Sequence, residues 1–228
     1  MALVKHGQSF KTMAITINGN GTLTGVSVGG LPDGIVDTDM LAANAVATAK
    51  IHDDALTAAK MPAGSILQIV NTRVTAASSL SMNGNEFTNI SVLNTSITPS
   101  SSSSKILVSM YSMGEGTDND SNFITRVERD ISGGTTGTRL GGVDSGSRLG
   151  CFQAVTEGHD SGNTGVTTTY IQFSNYLDSP STTSACTYKL YIRNDSNRTW
   201  YINRTKDDTD HTNGERGHSY CTLMEVAG

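Results

Sequence analysis

The chain has 228 residues, of which 16% are charged and 36% hydrophobic, with a net charge of −5. Mild acidity without a basic cluster argues against nucleic-acid binding, and no apolar run approaches the roughly 20 residues that span a bilayer. Twenty-four glycines, together with frequent Ser, Thr and Asn, suit a β-rich protein with many turns better than a helical enzyme.

Met1–Thr12 carries no apolar core of signal-peptide length, so no secretory leader is expected. Within residues 1–30, Ala14-Ile15-Thr16-Ile17 and Thr22–Val28 flank the turn sequence Asn18-Gly19-Asn20-Gly21. That pattern predicts two short strands in a hairpin.

Residues 31–63 hold a ten-residue repeat with units Pro32–Leu41, Ala42–Ile51 and His52–Met61. The fifth position is Val36, Val46 and Leu56; the tenth is Leu41, Ile51 and Met61. An apolar residue every five positions fits neither a helix stripe nor strand alternation, since five helical residues turn through about 500°. Each unit reads as a short element plus a turn, and one unit cannot bury its own anchors. Neighbouring units or other copies of the chain must cover them, so the segment is read as a stalk. Ala45, Ala47, Ala49, Ala55, Ala58 and Ala59 would let backbones approach closely in an oligomer.

Pro62-Ala63-Gly64 punctuates the repeat, and residues 64–228 read as a β head. Strands are expected at Ser65–Asn71, Lys105–Met113, Thr168–Tyr176, Tyr188–Arg193, Thr199–Arg204 and Tyr220–Val226. In the second, Ile106, Val108 and Met110 share a face; in the third, Ile171 and Phe173 oppose Tyr170 and Gln172. Polar, Gly-rich loops are expected at Gly114–Asn122, Gly133–Ser147, Glu157–Gly165 and Thr205–Gly217. This alternation of strands and loops predicts an all-β sandwich of jelly-roll type.

The three cysteines, Cys151, Cys186 and Cys221, lie in apolar stretches without a CxxC, and read as small buried hydrophobes. Chemistry finds little support. Asp207, Asp208, Asp210, His211, Glu215 and His218 crowd one loop in no zinc spacing, and a solvated loop is expected. Asp118, Asp120 and Asn122 alternate like the start of a calcium loop, yet Phe123 replaces the required Gly and Arg129 the required Glu. Among Glu86, Glu115, Glu128, Asp130 and Glu157, no spacing selects the carboxylate pair of a glycosidase. The reading is a non-enzyme with no catalytic residues, no metal and no cofactor. Trp200, Tyr201 and Tyr220 could stack on sugars, but their strand setting favours packing.

Two stretches resemble the tail-fibre family of bacteriophages, especially phages of aquatic bacteria. One is ITINGNGTLTGVSVGGLPDGIVDTDMLAANAVATAKI; the other comprises SITPSSSSSKILV, YLDSPSTTSACTYKLYIR, WYINR and CTLMEVAG in the C-terminal half. The resemblance implies a homotrimeric virion fibre, assembled in the host cytoplasm, with an attachment region at 1–30, a stalk and a distal head. Its implied partners are other tail or virion proteins and a host cell-surface polysaccharide or outer-membrane component. The stalk contacts would be Val36, Leu41, Val46, Ile51, Leu56 and Met61. Loop residues Asp118, Asp120, Arg148, His159 and His211 are the candidates for receptor contact. The alternative is a structural virion adaptor or head fibre that binds no receptor.

Overall fold

The structure is a computed structural model; it describes residues 16–17, 23–24, 41, 43, 45–47, 51–52, 55–117, 122–156, 168–210, 212 and 214–228. The chain divides into two compact units, Met1–Leu56 and Thr57–Gly228. In the first, β1 (Thr16–Ile17) pairs antiparallel with β2 (Leu23–Thr24), with Thr16 opposite Thr24 and Ile17 opposite Leu23. The remainder of the expected hairpin lies outside the described residues, as does Val36.

The second unit is built from two six-stranded antiparallel sheets. One contains β3 (Ile66–Val74), β4 (Ser78–Met82), β7 (Lys105–Gly116), β11 (Thr169–Asp178), β13 (Arg198–Ile202) and β14 (Ser219–Val226). The other contains β5 (Thr88–Asn89), β6 (Thr95–Ile97), β8 (Asn122–Ile131), β9 (Thr138–Leu140), β10 (Gln153–Thr156) and β12 (Cys186–Arg193). Inward residues of both sheets join one core: Ile106, Val108, Met110, Ile171 and Leu223 from the first, Phe123, Val127, Tyr188, Leu190 and Ile192 from the second. The protein is therefore all-β, with a β-sandwich as its larger unit.

Strand alternation explains why these segments pair. In β12 every second residue, from Cys186 to Ile192, is buried, while Thr187, Lys189 and Tyr191 turn outward. β7 behaves likewise and runs to Gly116, so Gly114–Gly116 belongs to a strand rather than to a loop. The strand near Cys151 starts only at Gln153, which leaves Cys151 half-buried beside the fully buried Cys186 and Cys221. All three are free thiols. Burial pushes the Cys221 thiol up to about 11.

Hydrophobic alternation does not mark β8, because charges occupy much of it. Arg126, Glu128 and Asp130 turn outward, and Arg129 points inward opposite Tyr188. Buried Arg129 is matched by Asp178 of the facing sheet, whose Oδ2 accepts from Arg129 Nη1 at 2.5 Å and from the Tyr188 hydroxyl at 2.8 Å. This group ties the two sheets together. Burial alone would lower the Arg129 pKa, but the Asp178 hydrogen bond outweighs it and raises it; burial, then Asp178, raises that of Tyr188.

A second buried carboxylate anchors the Ser-rich stretch. Glu225, fully buried on β14, accepts from the Ser100 amide and hydroxyl, each at 2.7 Å, and from Gln68 Nε2 at 2.6 Å. Gln68 also donates to the Thr98 carbonyl. The run of small hydroxyl residues after Ile97 is thus held against the sheet by a carboxylate that arrives from the far end of the sequence. Asn203 makes a third tie. Its side chain donates to the carbonyls of Val74 and Ala76 and accepts from Ser219, while its backbone sits at φ 61°.

Candidate functional site

The repeat supplies the first candidate surface. Leu41, Val46, Ile51, Leu56 and Met61 are 37–63% exposed. Five large apolar side chains at five-residue intervals, all open to water in a single chain, form a series with an unmet burial requirement. The last turn before the head is a short 3₁₀ segment, Ala58–Lys60, with no buried residue.

Of the receptor-contact candidates, Asp118, Asp120, His159 and His211 lie outside the described residues. Arg148 is exposed at a tight turn in which Ser145 and Arg148 exchange backbone hydrogen bonds of 3.0 and 3.1 Å. Its guanidinium reaches back to the Ser145 carbonyl and hydroxyl at 3.4 Å. Asp144 holds the base of this turn, accepting from the Gly150 amide at 2.7 Å and from Arg139 at 2.8 Å. Those two donors, Gly150 first, lower its pKa. Beside Arg148 stand Val143, 85% exposed, and Leu149. The loop thus presents one cation and two apolar side chains on a fixed backbone.

The acidic loop is occupied by internal contacts. Asp208 pairs with Arg216 at 2.6 Å, and Glu215 accepts from the amide and hydroxyl of Thr168. Arg204 lies over the Tyr201 ring at 4.4 Å and donates to the Thr205 and Lys206 carbonyls. The hollow between Thr205, Asp208, Asp210 and Arg216 measures about 250 Å³ and is polar. Among the described residues no group of three His, Cys, Asp or Glu could hold a metal. Of the carboxylates considered as glycosidase pairs, Glu157 lies outside the described residues and the others have separate partners: Glu86 accepts from Asn83, Glu115 from the Lys206 amide, Glu128 from Arg126, and Asp130 from Lys189 and the Gly137 amide.

The aromatic candidates separate cleanly. Trp200 is fully buried and meets Phe123 edge-on at 5.4 Å, so it belongs to the core. Tyr220 stacks on Tyr111 at 5.5 Å, and Tyr111 on Tyr170 at 5.9 Å, forming a three-ring row on the outer face of the sheet. Sequence reasoning singles out Tyr220 but not the row, because only the register that sets Tyr220 opposite Tyr111 brings its members together.

No protein-family model matches this chain, and neither does any curated protein. Among solved structures it is similar to those of infectious bursal disease virus. The Gt-strain structure aligns at 10% identity and a TM-score of 0.36, covering 70% of this chain and 38% of the viral one. The Gx strain gives 9% identity and 0.31 over 70% and 37%, and a VP2 subviral particle 8% and 0.32 over the same shares. This chain therefore spans a little over a third of the length of those proteins.

Proposed function

We propose that this chain is an oligomeric virion fibre of the bacteriophage tail-fibre kind. In this reading three copies join through the repeat and carry β-sandwich heads that adhere to the host cell surface. The observation that carries the reading is the exposed apolar series from Leu41 to Met61, which a single chain leaves in water. Packing of copies around that series covers it, and the interspersed alanines allow close approach. Three heads on one stalk would turn weak contacts with a surface polysaccharide or outer-membrane component into durable attachment, a gain on the order of 10²–10⁴. The exposed Arg148 turn, with Val143 and Leu149, supplies one contact surface of mixed chemistry suited to such a role. The motif resemblance of the N-terminal stretch supports the assignment to fibres, and with it a place in the virion beside other tail proteins.

The test pairs light scattering on the full chain with a pull-down on candidate host cells. The expected mass is three chains, with saturable cell binding. Val46→Asp combined with Ile51→Asp should reduce the mass and the retention on cells together. A monomeric parent chain would refute the fibre. A trimer that binds no host surface would move the assignment to a structural virion adaptor.

A further inference from the structure

Strands β11, β7, β14 and β3 lie side by side, and their outward residues fall into apolar, polar and aromatic rows. Leu177 stands opposite Leu107, Leu107 opposite Met224, and Met224 opposite Ile69, an unbroken apolar row across four strands. Its ends, Leu177 and Ile69, are 47% and 59% exposed. On one side the row is bordered by the polar Ser109, Thr222 and Asn71, with Asn71 donating to Thr222 Oγ1 at 2.7 Å; the charged residues, Lys105 opposite Val226 and Arg73 opposite Tyr220, lie at opposite ends of the face. The other sheet is the reverse: its outward residues form ion pairs between Arg126 and Glu128 and between Lys189 and Asp130. One face of the sandwich carries ion pairs, and the other carries an apolar row whose ends are open to water.

The repeat indicates what covers it. The five-residue series of Val36, Leu41, Val46, Ile51, Leu56 and Met61 continues at the next interval with Ile66. Ile66 is the first residue of β3, pairs with Val226 and is 47% exposed. The same spacing that marks the self-association series thus enters the head on its apolar sheet. A bound sugar is the weaker occupant. The tyrosine rings stack on one another with interplanar angles of 16–21°, so they are engaged ring against ring instead of opening a flat platform to a ligand.

We infer that the outer face of the β11–β7–β14–β3 sheet is the contact between the heads of neighbouring copies of this chain. The inference rests on the oligomeric reading above and names the head surface that the oligomer uses. Around the symmetry axis the apolar rows meet, and the ion-paired sheet faces solvent.

The test uses the full chain. Ile69→Glu with Leu177→Glu places two carboxylates at exposed positions that a monomer tolerates but a dry contact does not. The expected result, by light scattering over a dilution series, is assembly weakened about 100-fold or more, since a buried unpaired charge costs a few kcal/mol. Val143→Glu, an equally polar change on an exposed loop, should assemble like the parent. An oligomeric parent whose double variant assembles unchanged overturns the inference and leaves the stalk reading standing. A monomeric parent removes both.

Oxidative footprinting of the unmutated protein gives a second readout that does not depend on the variant folding. Tyr170 and Tyr220 should be protected in the oligomer and should gain reactivity on dilution. Equal labelling in both states, or protection that appears only with added host polysaccharide, overturns the inference.

Discussion

Asp178→Leu tests the buried tie between the sheets. The change removes the acceptor of two hydrogen bonds, of 2.5 Å from Arg129 and 2.8 Å from Tyr188, at a site where Arg129 and Asp178 are 8% and 7% exposed. Arg129 Nε already has no hydrogen-bond partner, so the guanidinium loses its principal anchor while it stays out of water. Orphaning one member of a buried ion pair costs about 3–5 kcal/mol. For a unit of this size each kcal/mol moves the melting midpoint by roughly 2–4 °C, so a fall of about 6–20 °C is expected. Thermal melts followed by circular dichroism and by the single tryptophan, the buried Trp200, would measure it at fixed protein concentration. Adding Arg129→Met to Asp178→Leu should recover most of the loss, because the charge then leaves together with its partner. A single variant that melts within about 2 °C of the parent would refute the reasoning, since its smallest expected fall is threefold larger.

Two further outcomes follow from the packing and the buried carboxylate. A Cβ on Gly114 would stand 2.2 Å from the Tyr201 carbonyl oxygen and 2.8 Å from Trp200 Cε2. Gly114→Ala should therefore push β13 from β7 and cost about 1–3 kcal/mol, read as a lower urea midpoint, whereas an unchanged midpoint would show that the strands part freely. Burial alone would raise the Glu225 pKa, but hydrogen bonds led by Ser100 outweigh it and lower the pKa below the ordinary value of 4.5. A depressed folded-state pKa means stability that is fully present above 4.5 and is lost as pH falls through the folded value. Glu225→Gln should flatten that acid-side loss in a pH series of melts; an identical acid profile would remove Glu225 as its source.

The strands legible in the sequence are those whose alternation is apolar against polar. Ile106, Val108 and Met110 announce β7, and Tyr188, Leu190 and Ile192 announce β12, because every second side chain must leave water. β8 is illegible for the same reason: its inward Arg129 is satisfied only by Asp178, 49 residues later, on another sheet. β4 and β6 are too short and Ser/Thr-rich to show a pattern. The five-residue series is visible in the sequence, while its exposure is not, since burial depends on what packs against it. Among the candidate contact residues, Arg148 is found exposed as expected of a loop residue. The tyrosine row depends on register between β7, β11 and β14, a long-range property that no local window contains.

The place of β14 constrains how the head comes into being on the ribosome. The last strand of the head to be made, Ser219–Val226, lies between β3, the first, and β7. Until it emerges, β3 has no partner in its own sheet, and the Ser100 segment lacks the Glu225 carboxylate that fixes it. Emergence of β14 and closure of the sheet therefore coincide: a nascent head waits with an open slot across about 150 residues of sequence, a long-range closure of the slow-folding kind. Any shortening that removes β14 leaves β3 without a partner in its own sheet and the Ser100 segment without its carboxylate.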